Sequence, residues 1–546
     1  MTSYVFRLVD SLEKVLPDRE PARWEGAALR GLAGETLSLQ VAYGCENDDL
    51  GESEHSFRLH IDRPENIAVT VRRVELVPCA YPCHGTWDDD YLDTRPGLYP
   101  DLLRPMEPGE PVKAVPGQWR ALWLDFDAPA GRHSVTLRVE DTAGAILWSQ
   151  GLTVEVMAQA LPPQELIHTQ WFHADCLADY YHVDVFSEEH WRIIDNFMAA
   201  AVRHGINMLL TPVFTPPLDT AKGGERTTVQ LVGVQKRGDD YAFDFSKLDR
   251  WMGLCEKNGI KYLEISHLFT QWGAICAPKV MGSVSGGPEE KLFGWHTPAV
   301  GGEYTRFLEQ FLPALKEHLA RAGWLDRTYF HISDEPHIEE AETYAAARAT
   351  VKDLLAGCRV VDALSSYDVY KLGLVERPIV SVDHIGTFLQ AGVPHLWAYY
   401  CTAQAVDTPN RFIAMPSARS RIMGVLMYYH GIEGFLHWGF NFYNSQCSVE
   451  HIDPFQVTDA GEAFPSGDPF LVYPAPDGTA WDSIRGMVIR QSLNDLRALK
   501  LLEGKIGRPA VRAMLEELAG GELTFTRYPL DSAFFETVRS RIYEQL

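Results

Sequence analysis

Long apolar runs are missing from this chain of 546 residues. No stretch of about 18 uninterrupted apolar residues occurs, so no segment reads as a membrane-spanning helix. The opening "MTSYVFRLVD" lacks the basic start and apolar centre of a secretory leader. Basic residues are short as well: 49 Lys and Arg stand against 74 Asp and Glu. The net charge of -25 argues against nucleic acid or an anionic membrane as the main partner. Cysteine is sparse. The nine are scattered, and Cys79 and Cys83 form the only close pair, with no second pair and histidine to complete a zinc spacing. Reduced thiols in a cytoplasmic protein with no metal and no cofactor are the expectation. What remains, 46% apolar and 23% charged, is a globular composition, and the length suggests two to four domains.

Residues 1–160 carry short segments of period-2 apolarity, among them "TLSLQVAYG", "SFRLHID", "RALWLDFDA" and "HSVTLRVED", bounded by Gly, Pro, Asp or Asn. They predict an N-terminal β-sandwich. The stretch "CHGTWDDDYLDTRPGLYPDLLRPMEPGEP" has no period and reads as one long loop. "MAQALPPQELI" then supplies a linker near residue 160. Beyond it, buried-type strands alternate with helical patterns. Eight candidates, "HTQWFH", "NMLLTPV", "KYLEISH", "TYFHIS", "CRVVDAL", "IVSVDH", "HLWAYY" and "GFLHWGF", predict a (β/α)8 barrel over residues 161–505. An open doubly wound sheet is disfavoured because its first strand is not followed by a Gly-rich phosphate fingerprint. The tail, 506–546, reads as a strand and helix packed on the barrel or at a subunit contact, which allows a homo-oligomer.

The fourth of these strands ends in "HISDEPH", residues 331–337, with two adjacent carboxylates. Like charges that close raise each other's pKa, a costly arrangement for a purely structural role. The fold places Asp334 and Glu335 on the face where barrel enzymes hold their chemistry. Asp383, Trp397, Tyr399 and Trp438 on other strands, Asn207 before the second, and Trp272 and Trp295 in the long connection after the third complete a set suited to sugar hydroxyls and C–H faces. Asn207 serves equally well as a cap on the preceding helix. Sequence neighbours on an extended chain point opposite ways and rarely straddle a glycosidic bond as nucleophile and acid. They suit a division in which Glu335 is the general acid and Asp334 orients a 2-acetamido group whose carbonyl oxygen attacks the anomeric carbon.

The chain resembles glycoside hydrolase family 123 and the larger group sharing its catalytic domain (domain of unknown function 4091). "ISDEP" is similar to the family's catalytic motif. "GETLSLQVAYG" and "GLYPDLL" are similar to a strand and a following loop of its N-terminal domain. "QWFHADCLADYYHV", "DHIG", "LWAYYC", "GFLHWGFNFYN" and "GDPFLVYPAPDGTAWDSIRGMVIRQSLND" are similar to successive parts of its barrel. The resemblance implies a retaining, exo-acting β-N-acetylhexosaminidase of N-acetylgalactosaminidase type, with Asp334 orienting the acetamido group and Glu335 as acid/base. Met487 stands where the family usually has glutamate, which bears on substrate identity rather than on the acids. Arg485 of the "SIR" motif is expected to pair with a carboxylate and hold the last helix to the barrel.

Three alternatives stand beside this reading. A non-acetamido glycosidase would keep Glu335 as acid and take Asp383 or Glu264 as nucleophile. A metal site could draw on His331, Asp334, Glu335 and His337, joined by His173, His267 or His384, although the spacing matches no zinc signature. A non-catalytic carbohydrate-binding barrel would gain nothing from two adjacent acids.

Overall fold

The period-2 segments of the N-terminal third pair into two facing sheets in a computed structural model that describes residues 4–46 and 55–546. The first sheet runs in the order Tyr4–Asp10, Thr36–Cys45, Trp119–Asp127, Ala68–Cys79, Gly97–Pro105, Ala480–Ser483 and Tyr473–Pro474. The second runs Leu29–Ala33, Ile146–Ala160, Gly131–Asp141, Ser56–Asp62 and Val112–Lys113. Alternate residues of each, such as Leu39 and Val41 opposite Val135, Leu137 and Val139, fill the layer between them.

Two features of this sheet depart from the sequence reading. Residues 97–105, expected within a loop, form a strand paired with both Ala68–Cys79 and Ala480–Ser483. Pro100 and Pro105 obscured it, because proline cannot donate to a ladder and argues against a central strand. The register against Ala68–Cys79 slips between Glu75 and Leu76, which leaves Asp101 as the extra residue. A bulge of this kind re-aims a side chain. Asp101 is fully buried and accepts from Arg485 Nε and Nη2, each at 2.8 Å, and from the Tyr473 hydroxyl at 2.6 Å. Arg485 therefore ties the helix Ile484–Ile506 to the N-terminal sheet and not to a barrel carboxylate.

All eight expected barrel strands form: Ile167–Gln170, Met208–Thr211, Tyr262–Ile265, Thr328–Phe330, Arg359–Ala363, Arg377–Ser381, Trp397–Tyr399 and Gly434–His437. They close in chain order with every pair parallel, the eighth returning to the first through Ile167↔Gly434 and His168↔Phe435. Each is short and buried on both faces, which is why they read as apolar runs. The outer helices carry their own end signals; Ser187 caps Glu188–Arg203 by accepting from His190 N–H. Helices Ser417–His430 and Ile484–Ile506 approach closely at Gly424, where a Cβ would lie 1.8 Å from the Ser492 carbonyl oxygen.

The connection after the third barrel strand holds a hairpin, Val280–Val284 with Glu289–Phe293. It joins a second hairpin, Gly233–Arg237 with Asp240–Asp244, into a four-stranded sheet beside the barrel mouth. In the tail, helices Arg508–Ala519 and Ala533–Gln545 form, and the expected strand reduces to one bridge between Thr524 and Arg527. No helix among the described residues is long and apolar enough to cross a membrane.

Candidate active site

Beyond the fourth strand, His331, Ile332 and Ser333 run buried to the acidic pair. Glu335 then adopts φ 46°, a left-handed backbone that costs a non-glycine residue about 1–3 kcal/mol. This turn breaks the alternation of an extended chain, so the two neighbours line one cavity of about 160 Å³ at the C-terminal mouth of the barrel. Burial first, and the charge of Glu335 second, push the Asp334 carboxyl up to about 8, against the Gln271 amide, which donates to its Oδ2 at 2.8 Å. Burial and the adjacent negative charge thus favour the neutral form of Asp334, while the Gln271 donor favours the ionised one.

Of the other residues singled out from sequence, Trp272, Tyr399 and Trp438 line this cavity. The Tyr399 hydroxyl donates to Glu335 Oε1 at 2.5 Å and lies 2.9 Å from Ser365 Oγ. Trp438 is held by its indole N–H on Asp468 Oδ2 at 2.9 Å. Trp272 is 44% exposed and stands at the rim.

The rest lie elsewhere. Asn207 precedes the second strand, at the opposite end of the barrel. Its amide donates to the Leu166 carbonyl and accepts from His168 N–H at 2.9 and 2.8 Å, so it is neither a sugar ligand nor a helix cap. Trp397 begins the seventh strand and packs inside the barrel, 5.3 Å from Tyr329 between ring centres and against Gly434. Asp383 falls two residues past the sixth strand and does not line the cavity. Its carboxyl meets His384 Nδ1 at 2.9 Å and the Gln404 amide at 3.1 Å. Trp295 turns its indole N–H to the Gly224 carbonyl instead.

Glu264, the other candidate nucleophile, is fully buried beneath the cavity and its lone pairs are taken. It accepts from the Thr169 hydroxyl, from Trp171 Nε1 at 2.8 Å and from His331 Nε2 at 2.8 Å. His331 Nδ1 faces Asp362 at 3.1 Å. Burial opposes a charged ring here, yet the hydrogen bonds and charges of Asp362 and Glu264 outweigh it and push His331 up to about 10. A buried imidazolium thus sits between two carboxylates. His267 stacks on it at 4.2 Å, and His267, His331 and Asp362 have donor atoms within 4.8 Å of one another. Parallel rings with both His331 nitrogens already committed do not converge on a common ion.

Some cavity residues escaped the sequence reading, among them Trp171, Asp219 and Gln271, while His173 entered it only as a metal ligand. Trp171 and His173 follow the first strand, and Asp219 and Gln271 stand in loops without periodicity. Burial raises Asp219 to about 6; its Oδ2 accepts from Cys447 N–H at 3.0 Å. The N-terminal region also reaches the wall. His84 Nε2 lies 2.7 Å from the carbonyl of Thr402, a cavity residue, and Tyr81 hydroxyl braces His84 Nδ1 at 2.8 Å. Two other clefts, of about 280 and 480 Å³, lie along the N-terminal sheets away from the acids.

The sequence matches the family described as glycoside hydrolase 123, catalytic domain, over residues 171–502. Among solved structures, the fold is similar to a family 123 glycoside hydrolase from Clostridium perfringens, described in work on glycolipid glycan hydrolysis. That likeness has a TM-score of 0.71 at 15% identity and covers 99% of this chain and 97% of the other. A β-glucuronidase from Parabacteroides merdae aligns with a TM-score of only 0.30 at 8% identity, over 86% of this chain and 51% of its own. No curated protein matches the sequence.

Proposed function

The chain belongs to the glycoside hydrolase 123 catalytic-domain family and is a glycosidase, and on that premise we propose that it is a retaining, exo-acting β-N-acetylhexosaminidase that uses the substrate's own acetamido group. The observation that carries this reading is the placement of both carboxylates on one strand end, facing one cavity of about 160 Å³. Asp334, in the ionised form that the Gln271 amide favours against burial, accepts the acetamido N–H and turns the carbonyl oxygen toward the anomeric carbon. That oxygen forms the new C–O bond as Glu335 protonates the leaving glycosidic oxygen. Glu335, now a carboxylate, then removes a proton from water, which opens the oxazolinium ring and restores the acetamido group with net retention. Tyr399 and Trp438 supply a hydroxyl and an aromatic face to the sugar.

Hydrolysis of a chromogenic panel tests the proposal: β-N-acetylgalactosaminide and β-N-acetylglucosaminide against the plain galactoside and glucoside. Acetamido sugars alone should turn over, and both Asp334→Asn and Glu335→Gln should collapse the rate. A thiazoline mimic of the oxazolinium should inhibit. A second reading is favoured by Asp219, a cavity carboxylate on a different connection, which could attack directly. Cleavage of plain glycosides, with Asp334→Asn nearly normal and Asp219→Asn inactive, would establish it instead.

A further inference from the structure

Three indoles line the cavity, and they are not equally enclosed. Trp171 is buried and Trp438 half-buried, but Trp272 stands 44% exposed at the rim. Its backbone is unusual as well. Trp272, Gly273 and Ala274 take φ of 54°, 98° and 53°, so three successive residues are left-handed and two of them carry side chains. Such a backbone is unfavourable for those two and persists only where the surroundings enforce it. On one side of the run, the Gln271 side chain accepts from Asp219 N–H at 2.5 Å and donates to Asp334 at 2.8 Å, and Trp272 N–H reaches the Asp334 carbonyl at 3.4 Å. On the other, Ala274 is buried, and Cys276 N–H donates to the Thr270 hydroxyl at 3.2 Å while its carbonyl accepts from Thr270 N–H at 3.1 Å. A Cβ at Gly273 would lie 3.4 Å from the Glu340 side chain, so the loop also rests on the turn that follows the acids. The rim indole is thus fixed to the strand end that carries both carboxylates.

A cavity of about 160 Å³ has room for about one sugar ring. In an exo-acting enzyme that ring is the non-reducing one, and what projects past the rim is the leaving group. The chemistry at the rim is apolar: Ile275 and Ile338, on the same two loops as Trp272 and Glu340, are exposed too. No Lys or Arg is among the described residues that line the cavity, so an anionic leaving group finds no partner there. We infer that Trp272 is a specificity-determining residue that stacks on an uncharged ring in the leaving group, either the C–H face of a second pyranose or an aryl aglycone. An indole face suits both, and a methyl aglycone is too small to cover it. The inference rests on the exo-acting reading above and adds the class of leaving group.

The test compares kcat/KM for three glycosides of whichever sugar the enzyme cleaves best: the methyl glycoside, the phenyl glycoside and the disaccharide with a neutral hexose. Trp272→Ala should lower kcat/KM for the two ring-bearing substrates about 10-fold more than for the methyl glycoside. Trp272→Phe should restore most of that preference. Trp272→Leu, which keeps apolar volume without a flat face, should match the alanine variant and carries the test if the latter fails to fold. Selective loss on only one of the ring-bearing substrates supports the platform and identifies the ring it takes. An equal loss on all three substrates would mean that Trp272 serves the enclosed sugar or merely props the acids, and overturns the inference.

One sugar is used throughout, so failure of the acetamido reading changes the choice of substrate and leaves the ratio intact. Release of a disaccharide from the non-reducing end of a trisaccharide would refute the exo-acting reading itself, a result distinct from an unmoved ratio.

Discussion

Arg485→Met is the substitution that asks most of this fold. It removes the cation from Asp101, which is fully buried and would keep only the Tyr473 hydroxyl as a donor. The carbonyls of Gly467 and Phe470 lose the same guanidinium. Breaking one half of a buried ion pair costs about 3–5 kcal/mol, most of it the penalty of the stranded charge. For a unit of 150–250 residues this corresponds to a melting point lower by about 6–20 °C. The loss falls on the seam between sheet and barrel, so the two should come apart in sequence. Urea unfolding followed by tryptophan fluorescence should change from one transition to two. The double variant Asp101→Leu/Arg485→Met leaves neither charge behind and should recover much of the loss, giving a large coupling energy in a double-mutant cycle. A single transition with a midpoint within about 1 kcal/mol of wild type would refute the reasoning, since that is the cost of an exposed pair.

Three further outcomes follow from the site. Asp219→Asn should lower kcat/KM about 10–100-fold, the worth of a hydrogen bond to a charged group, and should abolish an acidic limb near pH 6, where the buried carboxylate of wild type forms on rising pH. His331→Gln should destabilise by about 3–5 kcal/mol by leaving Glu264 and Asp362 without their cation. Because the folded pKa of His331, about 10, lies above its unfolded value of 6.5, its stabilisation is complete below about pH 6.5 and fades as pH rises toward 10; calorimetry should show that alkaline fade in wild type and not in the variant. Asn207→Ala should cost about 1–3 kcal/mol through the His168 N–H left without its acceptor while leaving KM unchanged in the chromogenic assay.

The barrel was legible because parallel strands covered on both faces must be apolar throughout, and each of the eight announces itself as a short run. The strand at 97–105 was not, because its two prolines mimic a loop and its bulge is fixed by a partner almost 400 residues away. The acidic pair was legible as a pair. What extended-chain geometry could not supply was the left-handed turn at Glu335, which lets adjacent side chains share a cavity. Asn207 and Trp397 were misplaced for a reason readable in the strands themselves: one precedes and the other begins its strand, so neither stands at the catalytic end. Asp219 and Gln271 carried no signal, since nothing in an aperiodic loop tells which polar side chain will turn inward.

The pairing of Leu103 with Asp482 also sets a timetable. On the ribosome, the inner partner of that edge is made roughly 380 residues after the edge itself. At about 5–20 residues per second that delay is on the order of 20–80 s. Throughout it, Gly97–Pro105 presents open main-chain donors and acceptors, and Asp101 waits for Arg485. A nascent sheet with an unfilled edge is a template for pairing with other chains, so the order of synthesis obliges the cell either to shield this sheet or to hold it loosely until the strand Ala480–Ser483 and the helix Ile484–Ile506 arrive.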